Sequence, residues 1–203
     1  ISIESPIDKP TTLYGDAGND SISGGLGPDI IIGGDGIDTM TGNAGDDVFI
    51  GGLGNDTIAG GAGFDRFVEM VGSATVTNNT SKVGTSSDTF SQIEQIELTG
   101  TPLSEAFTLT GVNLIVLLNA GDGADTLAYT GDGSVVLTNG LLTRTQGTAT
   151  YNLDLTTIES LRLSGGQSND SFNLTAWTKS LILSGGAGTD TVIATNDVNY
   201  TLS

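Results

Sequence analysis

The chain contains no cysteine and no histidine. Without thiols there is no disulfide to staple an extracellular fold, so an exported chain of this kind relies on a bacterial route or on metal in place of bridges. Without imidazole or thiolate, zinc, copper and iron–sulfur centres lack their usual ligands. Ser-His and Cys-His catalysis has no base, and neither an HExxH nor a GxSxG stretch occurs; the expectation is that the chain is not an enzyme. Basic residues are scarce, six against 24 acidic ones for a net charge of −18. Nothing forms a basic stripe, which argues against nucleic acid as a partner. The longest apolar run, residues 114–118, is far short of a membrane span, so no membrane insertion is expected. No initiator Met, signal peptide or targeting sequence is visible, which points to a mature segment or a piece cut from a longer repetitive protein.

What the chain has in abundance is glycine and aspartate in strict order. Six nonapeptides follow one another without slippage: GDAGNDSIS from Gly15, GGLGPDIII from Gly24, GGDGIDTMT from Gly33, GNAGDDVFI from Gly42, GGLGNDTIA from Gly51 and GGAGFDRFV from Gly60. Position six is always aspartate (Asp20, Asp29, Asp38, Asp47, Asp56, Asp65) and position eight always a large apolar residue (Ile22, Ile31, Met40, Phe49, Ile58, Phe67). Three residues of strand with the central side chain pointing inward supply one core residue per copy. The glycines allow positive φ, so the turn can aim its carbonyl oxygens into a shared cavity. One copy is a strand and a turn, so two make a coil of eighteen residues, and same-side turns recur at that spacing. Asp20, Asp38 and Asp56 then stack along one edge, and Asp29, Asp47 and Asp65 along the other. On this count Asp38 and Asp47 have neighbours on both sides, whereas Asp20 and Asp65 end their ladders.

Two carboxylates and several carbonyls from adjacent turns make an all-oxygen cage. Such a cage suits Ca²⁺, which takes roughly six to eight oxygens with loose geometry, better than Mg²⁺, which holds to a tight octahedron. Gly-Asp turns can also be plain strand connectors, but six in register with the same aspartate favour several calcium ions. Nine aspartates and no Lys or Arg lie between Gly15 and Asp65. Such a block repels itself until cations neutralise it.

Residues 15–68 strongly resemble the RTX repeat family, whose nonapeptide is G-G-x-G-x-D-x-U-x. The resemblance implies a right-handed parallel β-roll or β-helix with calcium buried between turns. It makes each position-six aspartate a carboxylate ligand and assigns carbonyl ligands to the glycine turns at Gly18, Gly27, Gly36, Gly45, Gly54 and Gly63. Departures are Asp16 and Asn43 at position two, Pro28 at position five and Arg66 at position seven. Family members are secreted bacterial proteases, lipases, toxins and adhesins.

Beyond about Val68 the short period gives way to one of 65 residues: IEQIELTGTPLSEAFTLT from Ile93 returns as IESLRLSGGQSNDSFNLT from Ile158. Short alternating strands between Gly/Ser/Asn/Asp corners indicate a continued, wider β-solenoid. Three coils of about twenty to twenty-three residues per module fit the spacing. Isolated turns ending at Asp125, Asp170 and Asp190 are further candidate metal positions, the last two close enough in sequence to share an ion. Glu105 stands where the earlier module has lost its turn glycines. The organisation expected is a lead-in strand or cap over 1–14, a calcium β-roll over 15–68 and a degenerate solenoid over 69–203. The similarity of residues 90–203 to large bacterial surface and matrix exoproteins makes a secreted or cell-surface module, structural or adhesive, the first functional reading. Its partners would be calcium, other copies of the chain or cell-surface glycans. The alternative is the secretion and folding domain of a secreted enzyme, protease or lipase.

Overall fold

The computed structural model describes residues 8–195 and 201–202. Every regular element among them is a β-strand. The strands gather into two compact units, one made of residues up to Val71 with Asn79–Leu98, the other of Gly72–Asn78 with the residues from Thr99 on.

In the first unit, odd and even nonapeptides go to different sheets. Thr11–Ala17, Asp29–Asp35, Val48–Leu53 and Arg66–Met70 pair in parallel, with Gln95–Thr99 next in the sheet. Ser21–Ser23, Thr39–Ala44 and Thr57–Ala62 form the second parallel set. The register joins residues eighteen apart, so Leu13, Ile31, Phe49 and Phe67 form one column and Ile22, Met40 and Ile58 another. All but Leu13 are at most 1 % exposed. Each of these residues has no apolar partner in its own repeat, so stacking on neighbouring coils is what buries it. Phe90 continues the second column from Ile58, and its ring meets that of Phe67 at a centroid distance of 5.8 Å. Arg66 ends the run of repeats in a salt bridge of 2.9 Å to Glu97.

Parallel stacking is interrupted here by one excursion that the nonapeptide period does not announce. After Met70 the chain leaves the first unit, returns as Thr80–Val83, and reverses into Ser86–Ser91, an antiparallel pair. Ser86–Ser91 then resumes the parallel ladder against Thr57–Ala62.

The second unit stacks Ala74–Val76, Ala106–Thr110, Thr126–Thr130, Ser160–Ser164 and Ser180–Ser184 in one parallel sheet. Ser134–Leu137, Ser171–Leu174 and Thr191–Ala194 make another. Core columns again run through the register, for example Phe107, Leu127, Leu161 and Leu181. Two coils advance twenty residues each, Ala106 to Thr126 and Ser160 to Ser180, but Thr126 to Ser160 takes 34. The surplus of fourteen is the length of the antiparallel hairpin over residues 141–154. Sixty-five residues therefore span two and a half coils rather than the three expected from spacing. The half coil puts Phe107 and Phe172, equivalent by the 65-residue offset, into different sheets.

Phe49 is fully buried at the middle of its column. Phe49→Ala is expected to lower unfolding free energy in calcium by about 3–5 kcal/mol. Denaturant titration checks this, and a loss under about 1 kcal/mol would mean that the column is not close-packed.

Candidate metal centre

Asp38, Asp47, Asp56 and Asp65 divide their two oxygens between different tasks. Oδ1 accepts a backbone N–H from the coil before: Asp20 to Asp38 (2.8 Å), Asp29 to Asp47 (2.7 Å), Asp38 to Asp56 (2.8 Å) and Asp47 to Asp65 (2.9 Å). The contact fixes the carboxylate in rotation and ties consecutive coils together. Oδ2 is turned inward. In Asp20, Asp38, Asp47, Asp56 and Asp65 it is buried without a hydrogen-bond partner. A buried carboxylate oxygen left unpaired is strongly unfavourable unless something positive sits against it.

The seat for that positive charge is marked by the glycine at position one. A Cβ built on Gly42 would crowd Asp47 Oδ2 and lie 2.5 Å from the Gly60 carbonyl oxygen of the next coil. On Gly33 it would crowd Asp38 Oδ2 and lie 2.5 Å from the Gly51 carbonyl oxygen. A carboxylate oxygen and a carbonyl oxygen thus converge where the side chain is missing. Among the described residues no group of three or more acidic side chains forms a metal cluster. Most of the ligands must therefore be carbonyls, a hard, all-oxygen donor set of the kind that calcium takes. The residues fit the ion: these aspartates with the turn carbonyls would hold Ca²⁺, which would supply charge neutralisation and a cross-link between coils.

The turn glycines are placed as their role requires. Gly18, Gly36, Gly45, Gly54 and Gly63 have φ between +116° and +142°. Gly27 is not among the positive-φ glycines; it precedes Pro28, whose ring restricts the residue before it. Asp16 and Asn43 adopt φ of 70° and 78° at position two, which explains why these residue types replace glycine there.

The aspartates are not equivalent. Asp29 Oδ2 accepts the Gly25 N–H at 2.7 Å, so this carboxylate is satisfied within its own turn. Neither Asp56 nor Asp65 ends its ladder. The Asp56 N–H donates to Asp88 Oδ1 (2.8 Å) and the Asp65 N–H to Glu94 Oε2 (2.8 Å). Asp88 and Glu94 escaped the sequence reading because the excursion breaks the eighteen-residue spacing. A weaker signal was present: each starts an acid–x–large apolar triplet, DTF and EQI, matching DTM and DTI of the repeats. Position one of what would be a seventh copy is Glu69, buried and facing Asp88. Its carboxyl is raised by burial first and by Asp88 next.

In the second unit Asp125 is fully buried with Oδ2 unpartnered. Its Oδ1 accepts the Glu105 N–H at 2.7 Å, and its own N–H donates to Glu159 Oε2 at 2.9 Å. Position one of its turn is Ala120, not glycine. Asp170 donates its N–H to Asp190 Oδ1 at 2.9 Å, so these two are one coil apart. Both oxygens of Asp170 are occupied, by the N–H groups of Gly133 (2.6 Å) and Gly166 (3.0 Å). Asp132 accepts the N–H groups of Gln167 and Ser168 from the same turn. Asp125 therefore keeps an unpartnered oxygen, but in a turn whose position one carries a methyl group, whereas both oxygens of Asp170 are taken.

Residues 12–31 and 32–67 match the family model of the RTX calcium-binding nonapeptide repeat, four copies. No curated protein matches the chain. Residues 12–67 carry RTX calcium-binding nonapeptide repeats, and the parallel sheets built on them form a β-roll.

Asp38, Asp56 and Asp47 lie within ladders, whereas the residue eighteen before Asp20 is Ser2, which brings no carboxylate. Calcium titration of Asp38→Ala is expected to show roughly tenfold weaker binding, about 1.4 kcal/mol, with a smaller loss for Asp20→Ala. Asp88→Asn, outside the matched repeats, should weaken the turn of Asp56. Equal losses at Asp20 and Asp38, or none at Asp88, would count against a stacked ladder.

Burial raises the Asp47 and Asp56 carboxyls to about 6, against the lowering effect of the backbone N–H each accepts. Without cation the folded state holds these protons more tightly than the unfolded chain, whose aspartates titrate near 4. Their contribution to stability is then full below about pH 4 and lost as pH rises through about 6. Calcium binds the deprotonated form and reverses the trend. Far-UV circular dichroism in calcium-free buffer should show more β-structure in the repeat block at pH 4 than at pH 7.5, and the opposite order in calcium. A calcium-free β-signal independent of pH would refute the assignment.

Proposed function

We propose that this chain is a calcium-rigidified structural or adhesive module of a secreted or cell-surface bacterial protein, without catalytic activity of its own. The observation that carries this reading is the set of five buried, unpartnered Oδ2 atoms in register within an RTX β-roll. Each waits on a cation, and the unit that contains them has no basic residue from Gly15 to Asp65 to serve instead. Calcium binding and ordering of the coils are therefore one event. Extracellular modules commonly bind calcium at about 10⁻⁴–10⁻³ M. Affinities of that order leave the block unfolded at cytosolic calcium and fold it outside, which suits export in an extended state. Stacked β-coils of this kind serve spacing and attachment, to further copies of the chain or to cell-surface glycans, and need no reaction centre.

Far-UV circular dichroism and size-exclusion chromatography with and without chelator test the reading. In millimolar calcium the expected result is a β-spectrum and a compact species. In chelator the expected result is loss of β-signal from the repeat block and a larger hydrodynamic radius. An unchanged β-spectrum in chelator overturns calcium-coupled folding. Hydrolytic turnover of protein or ester substrates by the purified chain overturns the non-enzymatic reading.

A further inference from the structure

In the second unit, Glu105, Asp125 and Glu159 each stand immediately before a strand of one parallel sheet. They are linked by the same N–H-to-carboxylate contacts as the repeat aspartates. The register carries this column one coil further, because Ser160 pairs with Ser180. The residue before Ser180 is not acidic but Lys179.

Lys179 is not loosely placed on the surface. Its Nζ donates to the Ile158 carbonyl oxygen at 2.6 Å and to the Thr156 carbonyl oxygen at 3.2 Å, and lies 3.5 Å from Glu159 Oε1. The ammonium also sits 5.8 Å from the centre of the buried Trp177 ring. An ordinary surface ion pair joins two side chains and leaves the backbone to water. Here two carbonyls of one turn and the carboxylate that follows them converge on a single positive centre, the same kinds of oxygen that surround calcium. Strand pairing does not demand a lysine there, since Glu105, Asp125 and Glu159 precede the earlier strands of the same sheet.

We propose that the Lys179 ammonium stands in for a calcium ion at the fourth place of this column, so that this coil is held together without metal. The proposal rests on the reading of the other carboxylate columns as calcium sites. It divides the chain into a part that requires calcium to fold and a part that carries its own cation.

Trp177 is the single tryptophan and lies beside Lys179, so its fluorescence reports this coil alone. Urea unfolding of the full chain followed at Trp177 should give the same midpoint in calcium and in chelator. Lys179→Met keeps the aliphatic stem and removes the charge; in chelator it is expected to lower that midpoint by about 0.5–1 M urea. Lys179→Arg should retain most of the stability. Lys82→Met, the same charge change at an exposed site in the first unit, should leave the Trp177 midpoint unchanged. A Trp177 midpoint in the unaltered chain that falls in chelator overturns the proposal. So does a Lys179→Met effect no larger than that of Lys82→Met, or a Lys179→Arg protein as weak as Lys179→Met. If Lys179→Met does not fold, the Arg variant and the unaltered chain still decide. Circular dichroism on the same samples reads the calcium dependence of the whole chain, so failure of the calcium reading shows there and not at Trp177.

Discussion

The structure depends on a division of labour within one carboxylate. If both oxygens of each repeat aspartate bonded to backbone amides, the coils would be joined but indifferent to metal. If both faced the turn interior, the ion would be bound but the carboxylate would swing free. In Asp38, Asp47, Asp56 and Asp65, Oδ1 is tied to the neighbouring coil and Oδ2 is left unpaired, the arrangement from which the proposed coupling of coil stacking to cation binding follows. The hydrophobic columns supply much of the burial, but each apolar residue is covered only once its neighbours are in place. Packing and charge neutralisation therefore act together along the same axis, which is the one-dimensional cooperativity expected of stacked repeats.

Much of this was legible in the sequence because the repeat states it residue by residue. The invariant Asp20-to-Asp65 series fixes the ladders, the position-eight residues fix the core, and an eighteen-residue register follows without reference to coordinates. What was illegible has a common physical cause: insertions change spacing without changing stacking. Asp88 occupies the place after Asp56 although 32 residues separate them, and Glu159 follows Asp125 at a distance of 34. Hydrogen bonding between coils depends on the residue that precedes the strand, not on the length of chain taken to reach it. The same effect displaced the coil count of the 65-residue module, whose antiparallel hairpin adds length without adding a coil. The distinction between Asp125 and Asp170 was also out of reach, because it lies in which amides face a carboxylate and no residue pattern records that.

The charge balance of the two units differs in kind. In the repeat block the negative charge is concentrated and buried, and burial drives Asp47 and Asp56 toward holding protons when no metal is present. In the second unit the acids are spaced by longer coils and interleaved with Arg144, Arg162 and Lys179. Arg144 is buried and donates to the Asp132 and Val112 carbonyl oxygens and to the side-chain oxygens of Asn113 and Gln146. Positive charge is there part of the covalent chain and needs no exchange with solvent.

The missing Cβ at position one has an evolutionary reading. The ion's seat is made by subtraction, a hydrogen atom where any other residue would place carbon against the Asp oxygen and the next carbonyl. Alanine at that position would press its methyl against the backbone carbonyl of the next coil as well as against the carboxylate, so a change of one codon would disturb the stack and the ion's seat together. Glycine is held there by two demands at once, and the other variable positions of such a turn are free to drift far more readily than this one.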